Sequence, residues 1–249
     1  MLDRFRVVRW LVVLLAILIF GARPSAAQQR LNVDVELVLL ADASGSIDNA
    51  EIQFQRNGYA QAITHRDVLS AISKGAYGRI AITFIEWGDA DNQKTVVPWM
   101  IVQDLSSAQA FASKLLATKR LAFGRNAIGA AIAEAQRQIQ TNAFEGHRKV
   151  IDFSGDSANN WSGIPISEAR KAALDAGSII NGLAILCRRR ACSGRPVDYD
   201  LERAFATQII GGPGSFVVTV DSPSRFAEAV RRKLILELAQ IAPDGTATR

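Results

Sequence analysis

A chain of 249 residues with 29 Lys and Arg, 24 Asp and Glu and a formal net charge of +5 is long enough to bury a full hydrophobic core. Much of that charge belongs to the N-terminus: residues 1–27 hold four Arg and one Asp, so without them the balance falls to about +2, and no run interleaves basic with aromatic residues as a nucleic-acid interface would. Only two cysteines occur, Cys187 and Cys192, which excludes a C-x-x-C redox centre and a cysteine-ligated structural zinc.

The chain opens with Arg4, Arg6 and Arg9, continues through the apolar run Trp10–Phe20 and reaches small residues at Ser25 and Ala27. That order is the pattern of a secretory signal peptide. The run is short of the roughly 20 apolar residues a membrane-spanning helix needs. The expectation is cleavage near Ala27, export to the periplasm or beyond, and a mature chain of residues 28–249. That chain would form one domain with its core at about 33–240. Membrane contact would arise only if the segment were retained. In an oxidising compartment Cys187 and Cys192 are expected to close a small loop around Arg188, Arg189 and Arg190.

No repeat or linker interrupts residues 31–240. Residues 33–41, VDVELVLLA, alternate and then turn wholly apolar, as a strand entering a buried sheet does. A helix is predicted from Ser46 to about Thr64, with Ser46 as its N-cap and Asp48 and Glu51 in the first turn. A short helix follows at 67–73, then a strand at 79–87. The strand at 94–100 carries Pro98, which assigns it to an edge, and the short turn between these two makes them antiparallel. Helices at 106–116 and 127–140 precede a strand at 149–154. Further on come a helix at 166–176 behind Pro165, a strand at 178–186, a helix at 198–208, a strand at 215–220 and a last helix at 222–239. The alternation predicts an α/β fold: a doubly wound, mostly parallel six-stranded sheet with one antiparallel edge strand and helices on both faces.

Ligands of such sheets bind beyond the carboxyl ends of the strands, where the strand order switches direction. Asp42, Ser44 and Ser46 follow the first strand, and Asp156, Ser157, Asn159 and Asn160 follow the fourth. Asn126 opens the Ala-rich helix, and Glu86 and Asp89 end the second strand, with Glu86 facing either the site or solvent. Neither His65 nor His147 falls at such a place. Carboxylate, hydroxyl and amide oxygens without sulfur or imidazole suit a hard divalent cation: Mg²⁺ first, with Ca²⁺ or Mn²⁺ as alternatives. Asp152 interrupts its apolar strand, and as a buried acid it needs partners; neighbouring backbone or hydroxyl groups are the expectation.

The stretches DVELVLLADASGSI, GRNAIGAAI and KVIDFSGDSANN together resemble the von Willebrand factor type A domain, in particular an exported bacterial branch of that superfamily. The resemblance implies a metal-ion-dependent adhesion site. Asp42, Ser44 and Ser46 would form its first metal-binding loop and Asp156 its third. The family usually places a threonine in the second loop, where this chain has Arg125 and Asn126, and Thr118 lies too far upstream to replace it. Asn126 either supplies an amide oxygen or weakens the site, with Arg125 filling the space. The implied function is a binding module, not an enzyme, in which the cation engages a carboxylate of a protein partner. The alternative is a metal-independent interaction domain with a decayed site. A metal-dependent hydrolase is disfavoured: Ser44 stands where an aspartyl-phosphate enzyme would place a second Asp. There is also no G-x-S-x-G elbow and no Walker A loop.

Overall fold

The computed structural model describes residues 30–186 and 197–239. The expected signal peptide and the Cys187–Cys192 pair lie outside the described residues. Six strands form one sheet: β1 Leu31–Asp42, β2 Ile80–Trp87, β3 Gln93–Val102, β4 Phe144–Gly155, β5 Ser178–Ile185 and β6 Val217–Val220, in the order β3-β2-β1-β4-β5-β6. All neighbours are parallel except β2 and β3. Pro98 sits on this edge strand, exposed, where the β2–β3 register is interrupted. A residue without an N–H costs no ladder hydrogen bond there.

The helices are α1 Asn49–Ile63, α2 Arg66–Ser73, α3 Leu105–Ala117, α4 Ile128–Thr141, α5 Ile166–Asp175, α6 Leu201–Ala204 with a π-helical turn through Ile209, and α7 Phe226–Ala239. One face of β1 (Val35, Leu37, Leu39, Ala41) packs with Tyr59 of α1, Phe111 of α3 and Val230 of α7. The other (Val38, Leu40) packs with Ile128 and Ile132 of α4, Ala169 of α5 and Phe205. A strand so enclosed reads as apolar throughout. Asp34 and Glu36, the polar half of its early alternation, are nevertheless buried. Asp34 accepts from the Tyr77 and Arg79 amides, and Glu36 from the Gly146 amide. These acids thereby join β1 to its neighbours at the end of the sheet opposite the strand tips. Among the described residues no helix is long and apolar enough to cross a membrane.

The helix after β1 covers one face and the helix after β4 the other. The switch point therefore falls between β1 and β4. Residues 118–127 pass from α3 on the first face to α4 on the second, over the carboxyl edge of the sheet.

Two expectations need correction here. Asp48, not Ser46, caps α1: its side chain accepts from the Glu51 amide at 2.8 Å. Ser46 instead belongs to the preceding turn, its hydroxyl 3.3 Å from that of Ser44. Asp152 finds a charged partner, Lys233 of α7, with Nζ–Oδ1 of 2.6 Å and both side chains fully buried.

Candidate metal centre

Loop 42–47 is shaped by its own acid. Asp42 is fully buried, and its Oδ1 accepts from the Ser44 amide at 2.8 Å. Such a turn aims successive hydroxyls to one side. Its Oδ2 is buried and accepts no hydrogen bond among the described residues. Gly155, at the tip of β4, leaves room for this oxygen, since an added Cβ would stand 3.3 Å from it. Burial, and then the charge of Asp156, raise the Asp42 pKa well above the ordinary carboxylate range. Burial likewise raises Asp156, against a hydrogen bond from Ser46. Two carboxylates from adjacent central strands thus share a nearly dry site with two hydroxyls. Asn126, also buried, lines with Ser46 an open pocket of about 470 Å³ whose other walls are Gly45, Gly124, Arg125 and Trp161.

The second loop is held by two buried or half-buried arginines. Arg56 of α1 pairs with Glu86 at 2.5 Å and donates to the carbonyls of Leu115, Thr118 and Lys119. Glu86 Oε2 accepts from the Leu121 amide at 2.9 Å. Glu86 therefore faces neither the candidate site nor solvent; it fastens the loop. Arg120 donates to the carbonyls of Ala43 (2.6 Å), Ser44 (3.1 Å) and Ile47 (2.8 Å), clamping the first loop to the second. The Gly45 amide adds a bond to the Gly124 carbonyl at 2.7 Å. Gly124 has φ +108°, and a Cβ there would meet Asp89 Cβ at 2.6 Å, so the tight turn before Arg125 needs glycine. The Thr118 hydroxyl turns back to the Lys114 carbonyl.

The third loop carries polar residues with structural partners of their own. Asn160 accepts from the Gly129 amide at the start of α4 and donates to the Ile164 carbonyl. Ser157 Oγ lies 3.3 Å from the Tyr199 hydroxyl. Asp89 accepts from Ser162 Oγ at 2.5 Å and the Ala90 amide at 3.0 Å, which hold its pKa below the ordinary value.

Of the five sequence-derived candidates, Asp42, Ser44, Ser46 and Asp156 converge at the switch point, and Asn126 opens onto the same pocket as Ser46. The roles of Arg56, Arg120 and Trp161 are not legible in the sequence. A lone arginine that bonds distant carbonyls leaves no local pattern to read. Among the described residues no group of three or more His, Cys, Asp or Glu could hold a metal. That is the result expected of a donor set with two acids and otherwise hydroxyl and amide oxygens. Its chemistry, and the orphaned Asp42 oxygen within it, fit a hard cation.

The sheet order, the single antiparallel edge and the oxygen-lined switch point define a von Willebrand factor type A-type α/β domain. Solved structures agree in fold. The proximal thread matrix protein 1 of mussel byssus, with a zinc-occupied MIDAS motif, is 16% identical over 84% of this chain and 49% of its own, with a TM-score of 0.60. The von Willebrand factor type A protein of Catenulispora acidiphila is 16% identical over 82% and 42%, at 0.55. The vWF domain of the type V pilus tip protein Mfa5 from Porphyromonas gingivalis is 11% identical over 86% and 98%, at 0.56. The chain spans about half the length of the mussel protein. No curated protein matches it in sequence. The chain belongs to the family described as "Protein of unknown function (DUF1194)", whose family model matches residues 32–242.

Proposed function

We propose that this domain is an exported binding module that holds one divalent cation on Asp42, Ser44, Ser46, Asn126 and Asp156 and engages an acidic group of a protein partner there. The observation that carries the reading is the buried pair Asp42 and Asp156, with Asp42 Oδ2 left without a hydrogen bond among the described residues. Burying two neighbouring carboxylates is costly unless a positive charge or protons accompany them. A bound cation would supply that charge and leave room for one further carboxylate. Asp42 and Asp156 would hold the ion, the two serines would contribute neutral oxygens, and Asn126 would close the side that faces the pocket. The zinc-occupied motif of the mussel protein and the pilus-tip context of the Porphyromonas domain support a binding role, with Mg²⁺ the foremost candidate in this chain.

The test is isothermal titration with Mg²⁺, Ca²⁺ and Mn²⁺. The wild type is expected to bind one ion. Asp42→Asn, which keeps the shape and removes the charge, is expected to lose affinity at least about tenfold. Equal binding by both proteins, or none by the wild type, would leave a metal-independent interaction domain as the surviving reading.

A further inference from the structure

Among the described residues, nine large apolar side chains reach solvent, and four of them belong to the loops of the candidate site. These four, Leu121, Phe123, Trp161 and Ile164, come from the second and third loops alone. Trp161 is 65% exposed and Phe123 52%. Both protrude from backbone that is tied down. The Trp161 amide donates to the Asn126 carbonyl at 2.7 Å, and the next residue, Ser162, is bonded to Asp89. The Phe123 carbonyl accepts from the Asp89 amide and from Asn92 Nδ2, both at 3.0 Å, and its ring lies 4.5 Å from the Arg120 guanidinium. Aromatic rings on fastened loops lose little conformational freedom when a partner covers them, and Trp and Arg are the side chains that most often dominate such contacts.

Charge indicates what would cover them. Arg125 is exposed beside Trp161 on the wall of the pocket and makes no ion pair among the described residues. Its nearby acid, Asp89, accepts first from Ser162 and Ala90, and the Arg125 amide and charge add only the weakest contributions to holding its pKa down. A cationic, aromatic rim around an oxygen-lined pocket complements a peptide segment that has an acid next to an aromatic or branched apolar residue.

We infer that Arg125, Trp161 and Phe123 form the specificity surface of this domain, selecting an acidic segment of a partner protein with an aromatic side chain adjacent to its acid. The acid enters the pocket, and Arg125 contributes an anchor that does not depend on a cation. The neighbouring ring packs against Trp161 and Phe123. This rests on the binding-module reading of the same pocket but assigns the rim a separate role.

The test uses fluorescein-labelled tetrapeptides, Gly-Phe-Asp-Gly and Gly-Asp-Phe-Gly, against Gly-Gly-Asp-Gly and Gly-Phe-Asn-Gly. Fluorescence polarisation is read with Mg²⁺ and with EDTA, up to millimolar protein. At least one Phe–Asp order is expected to bind about tenfold tighter than the Gly control. Trp161→Ala should abolish that preference while leaving the Mg²⁺ isotherm unchanged, and Arg125→Ser should weaken every aspartate peptide alike. Aspartate peptides that bind through Mg²⁺ without a Phe preference would overturn the specificity surface and spare the metal site. A Phe preference that persists in EDTA, in a protein with no Mg²⁺ isotherm, would do the reverse. Equal binding of the Asn peptide, or no binding of any peptide, would overturn the inference.

Discussion

Two pairs of buried carboxylates lie at the central strands and the elements beside them, and they are compensated differently. Asp152 of β4 and Glu237 of α7 share Lys233, whose Nζ is 2.6 Å from an oxygen of each. Asn181 of β5 donates to Glu237 at 3.0 Å. Asp42 and Asp156, at the strand tips, are raised by burial and opposed by hydroxyl and backbone hydrogen bonds in place of a lysine. The chain therefore carries a cation for the pair that ties its last helix to the sheet. At the strand tips it provides oxygens and a pocket open to solvent. That difference separates a structural cluster from a candidate binding site better than burial or acidity does, since both pairs have raised pKa values and are buried.

The largest effect is expected from removing the built-in cation. Lys233→Met leaves Asp152 and Glu237 facing each other in the core, and breaking a buried pair in this way costs about 3–5 kcal/mol. Urea unfolding should register that loss at pH 8 and a smaller one at pH 5, where protons replace the ammonium. The Mg²⁺ isotherm of the folded variant should not change, and a change would break the separation between the two pairs. The next effect belongs to Glu237. Burial first, then the charge of Asp152, push its pKa from the ordinary 4.5 up to about 7, against the pull of Lys233. Between those values the folded protein keeps a proton that the unfolded chain has released. The stabilisation from this group is therefore complete below pH 4.5 and is lost as the pH rises through about 7. Asp152, also raised, acts in the same direction. Glu237→Gln should flatten the decline in unfolding free energy between pH 5 and 8 by on the order of 2 kcal/mol. An unchanged profile would place the titrating group elsewhere.

The same contrast explains what could be read from the sequence. The strands and helices are legible because burial on one or both faces imposes local periodicity, and Pro98 marks the edge strand by chemistry alone. Asp42, Ser44, Ser46 and Asp156 are legible because strand ends and turn residues are local features and the switch point follows from strand order. Lys233 is not, since nothing near Asp152 in the chain announces a lysine on the last helix. The Arg56–Glu86 and Arg120 fastenings are hidden for the same reason. Ser46 misled for another: serine before a helix reads as a cap, but Asp48 stands two residues closer to the helix, and its carboxylate reaches the Glu51 amide. The helix starts later, and the Ser46 hydroxyl is left to face Ser44 and the pocket.

The smallest expected effect probes Asn126, which stands where the von Willebrand factor type A pattern usually has a threonine. Asn126 reaches the pocket from a backbone whose carbonyl, not its side chain, holds the Trp161 amide. Asn126→Thr should therefore leave the stability of the metal-free protein unchanged, as thermal melts in EDTA would report. It would draw the donor oxygen back toward the main chain by roughly one bond length, about 1.5 Å. Cation distances tolerate only a few tenths of an ångström, so affinity should fall about three- to tenfold for Mn²⁺ measured by titration calorimetry. Asn126→Ala, with no donor, should fall at least as far. Were the Asn126→Thr variant to bind more tightly, asparagine would be the erosion of a once stronger site. The two carboxylates at the strand tips would then resemble their Lys233-bound counterparts in being structural first.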